Sequence, residues 1–261
     1  MLAILDGTIS DASEARIPVS DDGFLRGDGV FEVIRLYGGR PFALEDHLAR
    51  LTNSAANLRL PLDVDAVRAD LETLLEANDE AEAAVRLVVT RGGHRLAMVE
   101  ELKPLPATLA MASIEYAPSR VLDGVKSLSY AANVLARRLA QERGADEALL
   151  VTPHGRVLEG PTNTFVCSFD GETLVTPPLS EHILDSITRR GLLAVCDVRE
   201  QVIAGDDLAR VREAFVASTL REVHPIHAID GAGLPEAPGP LTQAAAERIR
   251  AHIEHELGVS A

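Results

Sequence analysis

Residues 30–44, VFEVIRLYGGRPFAL, alternate apolar and polar side chains on both sides of Gly38-Gly39. A period of two flanking a glycine pair marks a β-hairpin. The next stretch, EDHLARLTNSAANLRL, drops that period, and Leu44, Leu48, Leu51 and Ala55 fall at helical spacing. An amphipathic helix therefore follows the hairpin. The same mixture runs on. LAILDGTIS reads as strand and turn, VDAVRADLETLLEAN as a second helix, and AAVRLVVTRGG and ATLAMASIEYA as strands. After YAPSRVLDG come the helix ANVLARRLAQERG, closed by Gly144, and a hairpin, EALLVTPHGRVLEG, turning at His154-Gly155. The strands TFVCSF, TLVTPPL and EAFVAS, the helix ILDSITRRGLLAV and a closing amphipathic helix, LTQAAAERIRAHIEHEL, complete the chain. Antiparallel hairpins mixed with single helices predict an α+β fold in two parts. YAPSRVLDG has Pro, Ser and Gly and no periodicity. It is the expected linker, residues 116–124, between a smaller N-terminal α/β domain (1–115) and a larger C-terminal domain (125–261).

A chain of 261 residues has room for two such parts sharing a cleft. Aromatic residues make up 3% of it, with no Trp, so Leu, Val, Ile and Ala must build the core. The net charge of −15 argues against nucleic acid and anionic membranes as partners. It does not exclude a small anion, which a local arginine cluster can hold. No apolar run reaches the roughly 18–20 residues that cross a bilayer. The opening MLAILDGTIS lacks a basic segment and meets Asp6 early, unlike a signal peptide. A cytoplasmic enzyme is the expectation. Cys167 and Cys196 have neither metal-ligand spacing nor a disulfide framework and lie in apolar stretches, as buried free thiols do. His252 and His255 lie at i, i+3 without a third ligand, and His224 and His227 flank Pro225 in an expected loop. No metal site is expected.

Lysine is scarce in this chain. There are two, Lys103 in EELKPLP and Lys126 in DGVKSLSYAANVLARR. A lysine amine is a weak nucleophile at its ordinary pKa of about 10.4. Burial beside cations lowers that value and frees the amine for imine chemistry. Alone, Lys126 reads as a surface residue with a buried stem; its company changes the reading. RVLEGPTNTFV puts Glu159 just past an apolar strand, in a Gly-Pro turn. There it could pair with a protonated heterocyclic nitrogen or simply be solvated. EDHLARL puts Arg50 one turn after His47 and Asp46, while ILDSITRR and VASTLREV offer hydroxyls at element ends, Thr188 and Ser218-Thr219. Hydroxyls beside the N–H groups of a helix start hold phosphate, although an isolated Ser or Thr is as readily a helix cap. A lysine, a carboxylate, an arginine and two hydroxyl turns together are what pyridoxal 5'-phosphate requires.

The chain resembles the class IV (fold type IV) pyridoxal-phosphate enzymes. That family includes D-amino acid aminotransferases, branched-chain aminotransferases and aminodeoxychorismate lyases. The likeness is carried, in order, by RGDGVFEVIR, DHLARL, KSLSYAANVLA, GADEALLV, GRVLEGPTNTFV, TLVTPPL, ILDSITR and STLREV. By position, the resemblance implies that Lys126 is the Schiff-base lysine and proton shuttle. Glu159 would pair with the pyridine nitrogen. Arg50, Thr188 with the Ile187 backbone, Ser218 and Thr219 would bind the phosphate, and Tyr130 would lie near the phenolic oxygen. The larger domain would then be the cofactor-binding one. Two positions depart from the family pattern: Ser186 stands where glycine is common, which bears on the phosphate turn, and Ser129 replaces asparagine.

The resemblance further implies an amino acid:2-oxo acid transaminase in which Lys126 is both leaving group and general acid/base. It implies a homodimer, with the N-terminal part of one subunit closing the other's site. The substrate carboxylate needs a donor: Arg26 in FLRGDG, acting in trans, and Arg91 and Arg95 in TRGGHRL are the candidates. Phe31 would form an apolar pocket wall. KSL after Val125 stands nearest to the D-amino acid aminotransferases, so D-alanine or D-glutamate with 2-oxoglutarate is the expected pair. RGDGVFE and the Tyr130 motif are shared with branched-chain enzymes and lyases, which are the alternatives.

Overall fold

The computed structural model describes residues 1–258. The chain divides into two compact units, Met1–Lys103 with Gly124–Tyr130, and Pro104–Asp123 with the chain from Ala131 onward.

In the first unit, β1 (Leu2–Leu5) and β2 (Thr8–Asp11) form a hairpin through Asp6-Gly7, both at positive φ. A short helix, α1 (Asp22–Arg26), starts where the Asp21 carboxylate accepts the Gly23 N–H. β3 (Gly29–Tyr37) and β4 (Arg40–Pro41) turn at Gly38-Gly39, whose φ values of 56° and 76° suit glycine. Then come α2 (Leu44–Asn57), α3 (Val64–Glu76), β5 (Ala83–Thr90) and β6 (Arg95–Glu101). The sheet order is β2-β1-β6-β5-β3-β4, and every pairing is antiparallel. β6 is unanticipated in the sequence reading: Arg95, Glu100 and Glu101 at its ends obscure its alternation.

Alternation gives this sheet two different faces. Val30, Ile34, Leu36, Val85, Leu87, Val89, Ala97 and Val99 pack against Leu48, Leu51, Leu71 and Leu74 of α2 and α3. The opposite face presents Phe31 and Val33 of β3, Arg86 and Val88 of β5, and Met98 and Glu100 of β6. One more strip joins this sheet. The Phe31 N–H donates to the Lys126 carbonyl (3.1 Å), the Leu128 N–H donates to the Gly29 carbonyl (2.9 Å), and Ser127 bridges Val30. Gly29 permits that close approach, since a Cβ there would meet the Val89 carbonyl and Leu128.

The second unit contains β7 (Leu109–Glu115), α4 (Ala131–Glu142), β8 (Glu147–Val151), β9 (Thr164–Ser168) and β10 (Leu174–Thr176). It continues through α5 (Ile187–Val195), β11 (Val198–Glu200), β12 (Glu213–Ser218), β13 (Glu222–Ile229), β14 (Ala232–Gly233) and α6 (Pro240–Leu257). The strand order is β11-β10-β9-β12-β13-β7-β8, with β14 on β13. The β13–β7, β7–β8 and β10–β11 pairs are parallel. One core gathers Leu109, Met111, Phe165, Cys167, Val216 and Ile226. Another seats Ala136 and Ala140 of α4 on Ala112, Ile114, Ala148 and Leu150.

The units divide differently from the expected boundaries at 115 and 125. ATLAMASIEYA is β7, and its parallel pairing with β13 and β8 puts it in the second sheet. Lys126 belongs to the first unit through its pairing with β3. His224 and His227, expected in a loop around Pro225, lie in β13. Pro225 is tolerated there because β7 joins β13 only from Ile226, so the missing N–H leaves no bond to β7 unmade. The helix expected from Ile183 begins at Ile187. Cys167 is buried as expected, whereas Cys196 is half-buried. Among the described residues, no helix is long and apolar enough to cross a membrane, and no His/Cys/Asp/Glu group could hold a metal ion.

Candidate active site

The antiparallel pairing of residues 126–128 with β3 makes Lys126 the cross-strand neighbour of Phe31. Their side chains therefore share the sheet face away from the helices. The Lys126 Nζ lies 4.5 Å from the centroid of the Phe31 ring. Tyr130 meets the same ring edge-on at 5.3 Å, and the Arg86 guanidinium lies 5.6 Å from it. The lysine's main chain is fixed from two sides, by the Phe31 N–H on its carbonyl and by the Ser54 Oγ of α2, which accepts its N–H at 3.1 Å.

On the helix face of β3, next to Phe31 in sequence, Glu32 is fully buried. Its carboxylate accepts two hydrogen bonds from Arg50, from Nε and Nη2, each 2.7 Å. His47 Nδ1 lies 2.7 Å from Glu32 Oε2. Burial alone would raise the Glu32 pKa, but the Arg50 and His47 hydrogen bonds outweigh it and hold the acid at about 2. His47 moves the other way. Burial lowers its pKa, Glu32 opposes that, and the charges of Arg50 and Lys126 add to the lowering. A neutral His47 that donates through Nδ1 leaves Nε2 a bare acceptor, and Nε2 is buried without a hydrogen-bond partner among the described residues. Arg50 was readable from the sequence; Glu32 and His47 as its holders were not assigned. The signal was present: Glu32 lies in phase with Val30, Ile34 and Leu36, so a carboxylate occupies the buried face of the strand.

The arginines expected to receive a substrate carboxylate each have an acidic neighbour within their own unit. Arg26 is exposed and pairs with Asp22, one turn back on α1. Arg91 grips Asp28 through Nε (2.9 Å) and Nη2 (3.1 Å), and donates to the carbonyls of Arg59 and Leu58. Arg95 is paired across the sheet with Val89, on the helix face, where its Nε reaches Asp70 of α3 at 3.0 Å.

The second unit holds the other candidates. Leu158 and Glu159 run along β8, the Leu158 N–H donating to the Leu150 carbonyl and the Leu150 N–H to the Glu159 carbonyl. The Glu159 Oε1 accepts the Leu184 N–H at 3.0 Å. Tyr116 stands close enough that its pKa is raised first by burial and then by the Glu159 charge. Beyond the turn at Gly160, the Asn163 Oδ1 and Thr164 Oγ1 are buried without partners among the described residues. The Ser186 hydroxyl caps α5, accepting the Arg189 N–H at 3.4 Å. The departure from glycine thus supplies a side-chain cap. The N–H groups of Ile187 and Thr188 have no acceptor within the helix, and the first turn carries no acidic side chain. Ser218 and Thr219 close the β12–β13 hairpin, where the Arg221 N–H donates to the Ser218 carbonyl at 3.2 Å. Arg221 then reaches the fully buried Glu147, Nη2 to Oε2 at 3.0 Å. Neither was singled out beforehand, although Glu147 opens the otherwise apolar strand EALLV.

These residues fit pyridoxal phosphate. A helix start whose first N–H groups have no acceptor within the helix, with a hydroxyl and no acid in its first turn, suits a phosphate. A half-buried lysine on an aromatic ring suits an aldehyde, and a carboxylate with its own N–H donor suits a pyridinium. The comparisons agree. The model of the family described as "Amino-transferase class IV" matches residues 29–229. A D-alanine aminotransferase of Bacillus licheniformis is 32% identical over 267 residues, 93% of this chain and 94% of that protein. A bifunctional aminodeoxychorismate lyase / D-amino acid transaminase of Mycobacterium tuberculosis is 31% identical over 97% of this chain and 99% of its own length. The structure of a fold IV transaminase from Curtobacterium pusillum superposes with a TM-score of 0.86 at 29% identity, covering 95% of this chain and 92% of that one. The family match and the fold neighbours show a fold type IV enzyme working with pyridoxal phosphate. The chain belongs to the class IV aminotransferases and is a pyridoxal-phosphate-dependent transaminase.

Proposed function

We propose that this transaminase exchanges the amino group between a D-amino acid, D-alanine or D-glutamate, and 2-oxoglutarate, as a cytoplasmic homodimer. The observation that carries the chemistry is the setting of Lys126, an amine whose main chain is fixed to β3 and α2 and whose Nζ lies over the Phe31 ring. Pyridoxal phosphate, when bound, supplies an aldehyde that condenses with amines and a ring that draws electrons from the substrate Cα. Lys126 Nζ is the group that takes the Cα proton and gives it back. Glu159, oriented by the Leu184 N–H, keeps a proton on the ring nitrogen. Arg50, held by Glu32, serves the phosphate with the Ile187 and Thr188 N–H groups, Thr188, Ser218 and Thr219. Tyr130, packed on Phe31, keeps a phenol near the cofactor oxygen.

The relative named D-alanine aminotransferase supports the D-configured donor. The relative named for both lyase and transaminase supports pyruvate elimination from aminodeoxychorismate as a second reading, since one lysine serves both. Branched-chain L-amino acid transamination ranks third. Exposed apolar side chains support pairing of two copies: Val19, Phe24 and Leu25 around α1, and Val134, Leu135 and Leu139 on α4. A solution mass of twice the chain's 27.9 kDa is expected, and a monomer would contradict it.

Incubation with D-alanine and 2-oxoglutarate is expected to yield pyruvate and glutamate. Pyruvate from aminodeoxychorismate alone would favour the lyase, and turnover of L-leucine alone the branched-chain reading. The Glu159→Gln variant is expected to keep its bound cofactor, seen by visible absorbance, and to lose activity by roughly 10²–10⁴-fold, the span a positioned acid or base contributes. Unimpaired turnover in that variant would remove Glu159 from the chemistry.

A further inference from the structure

The sheet face that carries Lys126 also carries one arginine that the sequence reading passed over. Arg86 of β5 is paired with Val33 of β3, two residues along from Phe31. Its side chain therefore stands on the same face, one row from Lys126. The guanidinium lies 5.6 Å and the lysine Nζ 4.5 Å from the centroid of one ring, that of Phe31. Both cations therefore lie near the same aromatic ring on the same sheet face.

Glu100, on the neighbouring strand β6, takes one edge of the Arg86 fork, Nε to Oε1 at 2.6 Å and Nη2 to Oε2 at 3.0 Å. The pair is about one-third exposed, Arg86 at 34% and Glu100 at 26% by side chain. Arg86 Nη1 makes no hydrogen bond among the described residues. Glu100 thus orients the fork and leaves its outer edge to a second acceptor, and a planar guanidinium matches a carboxylate at that edge. Arg91 and Arg95 have no such freedom: Arg91 spends its donors on Asp28 and two carbonyls, and Arg95 leaves on the helix face.

We propose that Arg86 anchors the α-carboxylate of the amino acid and oxo acid substrates. This rests on the transaminase reading, in which Lys126 Nζ works on the substrate Cα. The α-carboxylate is bonded to that carbon, so its anchor must share the sheet face of the amine, as Arg86 does beside the Phe31 ring. Glu100 positions the anchor; Phe31 spaces anchor from amine and keeps the ground between them apolar.

The test uses the cofactor-loaded enzyme and two readouts. The first is a spectral titration with propionate, a carboxylate with no amine to react. The second is KM and kcat for D-alanine and for D-glutamate. The double variant Arg86→Gln, Glu100→Gln keeps a neutral pair of similar shape, so that the fold is retained. It is expected to bind propionate roughly 10–100-fold more weakly and to raise KM by a similar factor for both substrates, the loss expected for one charge-assisted hydrogen-bonded contact. Arg86→Lys is expected to recover part of the affinity. Unchanged propionate binding in the double variant overturns the proposal, as does a KM change confined to D-glutamate, which would assign Arg86 to the distal carboxylate. An unmodified protein that binds no cofactor or leaves D-alanine untouched counts against the underlying transaminase reading, a result separate from either.

Discussion

Replacing Lys126 by Ala is expected to lower transamination by at least roughly 10³-fold. One amine carries two roles, proton transfer, which by itself contributes roughly 10²–10⁴-fold, and the nucleophilic role that splits one hard step into easier ones. The loss is expected without unfolding. The main-chain contacts of residue 126, to the Phe31 N–H and the Ser54 Oγ, survive the substitution. A half-buried side chain is removed, not a piece of either core. Rate and melting temperature measured together separate the two effects. Transamination near the native rate in the variant would remove Lys126 from the reaction.

The second large effect concerns stability. Glu32→Gln keeps the shape of the side chain and deletes its charge, taking from the almost fully buried Arg50 the carboxylate that two of its nitrogens hold. Breaking a buried ion pair from one side costs about 3–5 kcal/mol. The sign of the pH dependence follows from the same pair. The folded-state pKa of Glu32 is about 2, below its ordinary 4.5. Its contribution is fully present above pH 4.5 and is lost as the pH falls through 4.5 toward 2. The unmodified protein is therefore expected to lose stability over that acid window more steeply than the Glu32→Gln variant. Denaturant melts at neutral pH and across the window check both points. Equal stability at neutral pH would show that the His47–Glu32–Arg50 group is not a structural unit.

Those two residues mark what the sequence could and could not convey. Strand and helix periods exposed most elements, because the hairpin at Gly38-Gly39 and the helices α2, α3 and α6 each bury one continuous face. Lys126 could be picked out by its rarity and its company. Its unit could not, since the two backbone bonds that tie residues 126 and 128 to β3 join positions nearly 100 residues apart. β7 shows the same limit: an apolar strand reads alike whichever sheet receives it, and only parallel pairing with β13 and β8 decides. Pro225 hid β13, because local propensity does not reveal that the strand's neighbour begins one residue later. Arg86 looked like a polar interruption in AAVRLVVT. Its significance depends on the register of β5 with β3, which brings it beside the ring that also faces Lys126.

The central claim is that pyridoxal phosphate is bonded to one particular amine. Borohydride reduction of the cofactor-loaded enzyme, followed by proteolysis and mass spectrometry, reads that directly. The chain has only two lysines to choose between. The phosphopyridoxyl mass is expected on the peptide containing Lys126, with Lys103 unmodified. The mass on Lys103, or an enzyme that turns over amino acids and yields no modified peptide at Lys126, would contradict the account.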